Sequence, residues 1–506
     1  MTPPPALQAS ALVVHVFIAV NGEHRAEDHR YLLAVWRACG SALGMTEEIA
    51  VTGTAADPPG GWDSPMGESG LLAVRSRPGP GVHQVVLRRE HDTFCVSVMR
   101  EPAPAEGISW AQLDRQWSDV AGKVSPGVIG TARLYLARLA GAGAPTPDGA
   151  LAVVVRSACP ADPAAAADWW ERGVTVPEGF AVWEASSPAD GRDLRKIIVV
   201  AAADRDPELS AWAWISRDRS LPPFGRYLLH AAKLRYQRRV WGAGQGFREL
   251  RQEADVTVRR LLSMLTPRAR SPQRWREPAP AELVEASHEL ASLQARALGL
   301  VDSSTRLREM RRTVVIAAAN MTALSDDANL GGLFADDRAL AGWLGEQLDD
   351  DATYLEAAQE RVRQVSALTD QLVQRGQQRR QERFNLGLTG VIGAILMSLA
   401  AIQSLSYSVP LPPPVKPAVV TALGAVALLA SLVVLRFAVP DRRWPLALVH
   451  AGFGLLAASL GWIVVSALTL GRRSERWTWL ISGAAFVVAV AVAAGLTWIR
   501  RRRRAP

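Results

Sequence analysis

The sequence predicts an α+β body facing the cytosol, a helical stalk, and a C-terminal bundle of four transmembrane helices. Three observations carry this reading. Residues 11–265 alternate short apolar runs with amphipathic stretches, the pattern of mixed sheet and helix. Residues 281–383 repeat apolar positions at helical spacing. Beyond them, four apolar segments follow one another at 384–405, 418–439, 445–470 and 477–499. Each meets the roughly 20 residues needed to cross about 30 Å of hydrocarbon.

In the body, strands are expected at 11–20, 71–75, 83–89, 93–99, 150–156, 179–184 and 194–202. Helices are expected at 26–43, 110–120, 163–172, 207–215, 224–241 and 247–265. The run ALVVHVFIAV lacks a positive leader, contains His15, and enters NGEHRAEDHR without a small-residue cleavage site. It reads as a buried strand and not a signal peptide. Asp206 followed by Pro207 is a helix start. Each half opens on an apolar strand and closes on a Trp-rich helix, so two related α+β subdomains are expected, 1–145 and 146–265. The glycine-rich GAGQG at 242–246 follows a helix. It reads as a break after Trp241 and not as a dinucleotide loop.

The Pro/Arg-rich stretch 266–282 reads as a linker, and 283–383 as the helical stalk. Leu283, Ala286, Leu290, Leu293 and Ala297 fall on one helical face. Leu307, Met310, Val314, Ala317, Met321 and Leu324 fall on another, with Ser303 or Ser304 as its expected N-cap. Leu344, Leu348, Leu355, Ala358, Val362, Val365 and Leu372 form a seam spaced by threes and fours, broken at Asp351, Thr369 and Gly376. A long amphipathic or coiled helix follows, running into the first span without a proline.

Charge is partitioned. The formal net charge is +8, but the segment from Arg375 onward carries sixteen Lys+Arg against Glu382, Asp441 and Glu475. The first 374 residues are mildly acidic, with 41 basic and 46 acidic residues. A nucleic-acid role therefore loses its main support. The arginines flank apolar segments: Arg375, Arg379, Arg380 and Arg383, then Arg436, Arg442 and Arg443, then the tail 500–506. By the positive-inside rule both termini face the cytosol, in a multi-pass inner-membrane protein. The loop GRRSER at 471–476 is the one local violation. Gly390/Ala394 and Gly454/Ala458 favour close helix packing and leave a homo-oligomer open. His450 reads as an interfacial hydrogen-bond donor.

Motifs for chemistry are scarce. The chain has no HExxH, Walker A loop, GxSxG or Cys/His metal spacing. Cys39, Cys95 and Cys159 form no CxxC pair and fit a reducing compartment. Cys159, at a strand end, reads as an ordinary thiol. No cofactor, metal or catalytic residue is expected. The candidate ligand or partner site is the helix at 224–241, with Arg226, Lys233, Arg235, Arg238 and Arg239 and no acid between 226 and 239. Such a stripe attracts a phosphate ligand, the inner leaflet or an acidic partner, or else is a solvated face paired with acids elsewhere in the body.

Four phrases carry a resemblance: LVVHVFIAVNGEHRAEDHRYLLAVWRACGSALGMTEEIAVTG (12–53), VHQVVLRREHDTFCVSVM (82–99), WAQLDRQWSDVAG (110–122) and DRDPELSAWAWISRDRSLPPFGRYLLHAAKLRYQRRVW (204–241). Over roughly the first 265 residues the chain resembles the caspase- and TPR-repeat-associated (CATRA) proteins of bacterial conflict systems. The resemblance implies partnership with caspase-like proteases and TPR-repeat proteins in immunity, and no known enzymatic activity. The expected role is a membrane-anchored cytosolic sensor or scaffold. The alternative is a pore-forming effector similar in plan to CorA-type channels, although SYSVPLPPPVK stands where their Gly-Met-Asn would follow the first span.

Overall fold

The computed structural model describes residues 6–49, 54–59, 69–140, 144–215, 220–265, 280–296, 299–325, 330–407, 415–438, 444–468 and 475–502. They form two compact units: residues 1–260 with 289–363, and residues 261–288 with 364–506.

The first unit is built on one nine-stranded sheet. Its strands are β1 (Leu7–Ala19), β2 (Glu47–Glu48), β3 (Gly70–Ser76), β4 (Val82–Glu90), β5 (Thr93–Glu101), β6 (Val128–Leu139), β7 (Val174–Thr175), β8 (Ala181–Glu184) and β9 (Leu194–Ala202). They lie in the order β2-β3-β4-β5-β1-β6-β9-β8-β7. The apolar run in β1 explains its central place. Residues 11–18 are buried on both faces, so the strand shows a continuous apolar stretch and not a half-wet alternation. It pairs antiparallel with β5 (Val14 opposite Val98) and with β6 (Val14 opposite Arg133).

Helices cover both faces. α1 (Arg25–Leu43), α2 (Trp110–Ala121) and α3 (Gly149–Ala158) pack Leu32, Val35, Trp36, Trp110, Trp117, Leu151 and Val155 against Leu12, Val14, Val16 and Ile18. Ser109 caps α2, accepting from the Gln112 amide while Gln112 Oε1 accepts from the Ser109 amide at 2.9 Å, a reciprocal capping box. α4 (Asp206–Ala213) and α5 (Pro223–Trp241) lie on the other face, where His15 Nε2 meets the Ala213 carbonyl at 3.3 Å. Gly130 of β6 lets α5 approach closely, since a Cβ there would stand 2.9 Å from Ala232 Cβ. α5 ends at Gly242 (φ 56°), as GAGQG predicts. The reversal into α6 (Gln245–Leu265) uses Gly244 (φ 69°) and Ala243, a non-glycine at φ 59°.

α7 (Pro280–Ala295), α8 (Leu300–Leu324) and α9 (Gly332–Tyr407) follow. Their predicted faces are buried: Leu283, Ala286, Leu290 and Leu293; Leu307, Met310, Val314, Ala317 and Met321; Leu344, Leu348, Leu355, Ala358 and Val362. α8 packs on α5, and residues 289–363 belong to the same unit as the sheet. Most of the expected stalk is therefore part of the body. Its seam buries against the body's own helices, not against another coil.

Five expectations need correction. The helix expected at 163–172 is only a 3-10 turn at Trp169–Glu171. The two subdomains at 1–145 and 146–265 share one sheet, because β6 and β9 lie side by side in parallel register, Tyr135 opposite Ile198. Among the described residues the first half carries six strands and the second three, so the halves do not repeat one topology. The strand expected at 150–156 is helix α3: Leu151, Ala152 and Val155 are buried while Val153 is exposed, a helical period. Ser303 and Ser304 lie inside α8, whose N-cap position is Gly299. The bundle of four transmembrane helices reduces to two candidate spans.

Those spans are in the second unit, which holds the end of α9, then α10 (Lys416–Ala438), α11 (Trp444–Leu468) and α12 (Glu475–Arg502). Among the described residues, two stretches are long and apolar enough to cross a membrane, Val449–Leu468 and Arg476–Leu496. A shorter apolar stretch occupies Lys416–Ala427. The linker at 266–279, the loop residues Arg442, Arg443, Arg472 and Arg473, and the tail 503–506 lie outside the described residues. So do the side chains at Arg380, Arg383, Gly390, Ala394 and Arg500 to Arg502.

Candidate functional site: a buried charge network beside a cavity

β8 and β9 are apolar strands with largely buried charges: Glu184 in β8, and Arg195 and Lys196 in β9. Glu184 ends β8, and Arg195 stands at the second position of β9. Arg195 grips Glu184 with two parallel bonds, Nε to Oε1 at 2.8 Å and Nη2 to Oε2 at 2.6 Å, the bidentate geometry that suits a guanidinium and a carboxylate. Its Nη1 donates to Asp337 Oδ2 at 3.0 Å. Asp337 lies in the second turn of α9 and is fully buried. It also accepts from Tyr227 Oη at 2.8 Å and from Arg235 Nη2, both on α5. Arg192, in the loop before β9, donates to Glu184 Oε1 at 3.2 Å.

Asp337 is thus held by three donors on two other elements. Aromatic packing brings it there: Phe334 on the same helix meets Tyr227 edge-on at 4.9 Å, next to the stacked pair Trp212 and Phe224 at 4.1 Å. Burial pushes the Asp337 pKa up, but Arg195 and Arg235 outweigh it and hold the carboxyl below its ordinary range. Glu184 follows the same logic: burial raises it, and Arg195 and Arg192 bring it well below. Burial lowers the Arg195 pKa, but Asp337 and Glu184 carry it well above its ordinary value. The network sets three guanidinium groups against two carboxylates.

A cavity of about 420 Å³ adjoins it, lined by Trp169, Arg172, Glu184, Arg192, Arg235 and Trp343 together with the first turn of α9. Arg172 pairs with both oxygens of Asp336 at 2.9 Å on the exposed rim. Ser186 and Ser187 also face it.

The five cations predicted from the α5 sequence do not converge. Arg235 enters the network. Lys233 pairs with Asp92. Arg238 lies 5.1 Å from the Trp241 ring and 5.4 Å from the Trp343 ring. Arg239 donates to the carbonyls of Gly191, Arg192, Val128 and Ile129. Arg226 is half-buried, with its Nε beyond reach of any acceptor. Sequence reading missed Glu184, Arg192, Arg195, Tyr227 and Asp337. The available signal was charge at the edge of two apolar runs, AVWE and DLRKIIVVAA, and the DD pair at the start of an apolar seam.

Other reactive groups are quiet. Burial pushes the thiols of Cys39, Cys95 and Cys159 up to about 12. The charged neighbours of Cys159 are Lys196 and Asp114, not a histidine. Among the described residues no group of three His, Cys, Asp or Glu is placed to hold a metal ion.

Two family models match the chain: the CASPASE and TPR Repeat-Associated N-terminal domain (CATRA-N) over residues 11–217, and the corresponding C-terminal domain (CATRA-C) over residues 222–362. Comparison with curated proteins and with solved structures gave no match. The network crosses the junction between the two matched regions, with Glu184, Arg192 and Arg195 from the first and Tyr227, Arg235 and Asp337 from the second. With both domains in sequence and bolted together at one buried site, this chain belongs to the CATRA family of caspase- and TPR-associated conflict-system proteins.

Proposed function

We propose that this protein is a non-catalytic, membrane-anchored sensor or scaffold that works with caspase-like and TPR-repeat proteins in a bacterial conflict system. The CATRA-N and CATRA-C body receives a ligand or partner on the cytosolic side, and the apolar C-terminal helices hold the chain at the inner membrane. One observation carries the reading: α9 begins in the buried charge network and remains helical from Gly332 to Tyr407, through the apolar segment at 384–405. One continuous element therefore belongs both to the site and to the apolar end of the chain.

The C-terminal helices support anchoring. Val464, Leu460, Val487, Val488 and Val492 expose more than half of their surface. Apolar side chains in contiguous exposed arrays suit lipid or protein and not water. The Lys/Arg distribution supports a cytosolic body. Co-purification in detergent with caspase-like and TPR proteins encoded beside the gene tests the partnership. Their recovery with the full chain is expected, and their absence under conditions that retain known membrane complexes overturns the scaffold role.

A further inference from the structure

The charge network has an imbalance that its own members do not cancel. Among the described residues, Arg192, Arg195 and Arg235 form ion pairs with Glu184 and Asp337 only. The buried set therefore carries one excess positive charge. Arg235, 2% exposed as a side chain, uses Nη2 on Asp337 and Nη1 on the Ala231 carbonyl, while its buried Nε has no acceptor. A buried donor without a partner is costly, and a buried excess charge more so. Arg192 and Arg235 both line the cavity, so an anion seated there offsets the excess positive charge.

Part of the cavity lining is aromatic. Trp343 is 40% exposed despite its size. Trp241 meets it edge-on at 5.7 Å, and Arg238 lies over its ring. Trp169 adds a second indole to the lining. Aromatic walls of this kind stack flat rings. The volume of about 420 Å³ lies within the range of small-ligand sites, about 300–1,000 Å³. Two features argue against a polymer: the first 374 residues are net acidic, which repels a polyanion, and the exposed Asp190 stands at the rim.

We propose that this cavity binds a small organic phosphate with a flat heteroaromatic ring, of mononucleotide size. Its phosphate is held by Arg192 and Arg235, and its ring rests against Trp343. The ligand identity extends the signal-receiving role proposed above, but binding is measured without membranes or partners. Failure here leaves the anchoring and partnership reading intact.

The test is isothermal titration calorimetry on the detergent-solubilised full chain with AMP and UMP, against adenosine (ring without phosphate) and both ribose 5-phosphate and inorganic phosphate (phosphate without ring). At least one nucleotide is expected to bind at least tenfold more tightly than either part alone. Arg192→Gln and Trp343→Ala change half-buried or exposed side chains, so they are checked for native circular dichroism and then titrated. Each is expected to weaken nucleotide binding at least tenfold. The proposal is overturned if neither nucleotide binds more tightly than millimolar, if both folded variants bind like wild type, or if a peptide carboxylate competes more strongly than either nucleotide.

Discussion

Replacing Asp337 by alanine removes the carboxylate on which Arg195, Arg235 and Tyr227 converge. Both guanidinium groups are almost fully buried, at 3% and 2% exposure, so neither can turn to water. Breaking a buried ion pair from one side costs about 3–5 kcal/mol, because the remaining charge stays desolvated. Asp336 is an internal control one residue away. Its partner Arg172 is 50% exposed, and surface pairs contribute about 0–1 kcal/mol. Equilibrium urea unfolding of the detergent-solubilised chain, followed by tryptophan fluorescence, measures both. Asp337→Ala is expected to cost about 3–5 kcal/mol and Asp336→Ala about 1 or less. Equal effects would refute the argument that buried charge fixes the start of α9. A double variant, Asp337→Leu with Arg235→Met, should recover part of the loss, since apolar replacement of a buried pair removes the unpaired charge.

Further outcomes follow from the same geometry. Burial and Arg88 lower the pKa of His15 from 6.5 to about 3. The unfolded chain therefore binds more protons than the folded one between those values, and stability is lost as pH falls below 6.5. At pH 4.5 the contribution of His15 is about 3 kcal/mol, and His15→Gln should flatten that part of a urea-midpoint profile against pH. Glu184 and Asp337 are depressed carboxylates, so their stabilisation persists above the unfolded carboxylate range and adds no slope between pH 5 and 8. Cys39, Cys95 and Cys159 should resist a maleimide reagent at pH 7.5 in the folded chain and label fully in denaturant; fast native labelling of any of them would contradict the burial argument. Ser109→Ala should cost about 1 kcal/mol by removing one half of the α2 capping box, measured by the same unfolding assay.

The parts of the fold that sequence conveys are those whose physics is local. β1 announces itself as an unbroken apolar run, α2 through Ser109 and Gln112, and the end of α5 through its glycines. α9 shows its seam from Leu344 to Val362. β6 was invisible because its pattern is diluted: Thr131, Arg133 and Arg138 interrupt it, and Arg133 reaches Asp114 on α2 at 2.7 Å. α3 misled through composition, since ALAVVVRSA is rich in β-branched valine, yet its burial period is that of a helix. The candidate site was hidden for a different reason. Glu184 and Asp337 are joined only through Arg195, across more than 140 positions of chain, and nothing local marks either acid as buried. The stripe on α5 drew attention to the right helix, but tertiary packing sent its cations to separate partners and left one, Arg235, in the network.

The central claim is that a CATRA body is held at the cytosolic face of a membrane by the apolar helices that follow it. Alkaline carbonate extraction of native membranes, combined with protease treatment of intact and lysed spheroplasts, tests it most directly. The account predicts that the chain stays in the membrane pellet and that its body is digested only after lysis. A chain released by carbonate, or a body cut in intact spheroplasts, would contradict it.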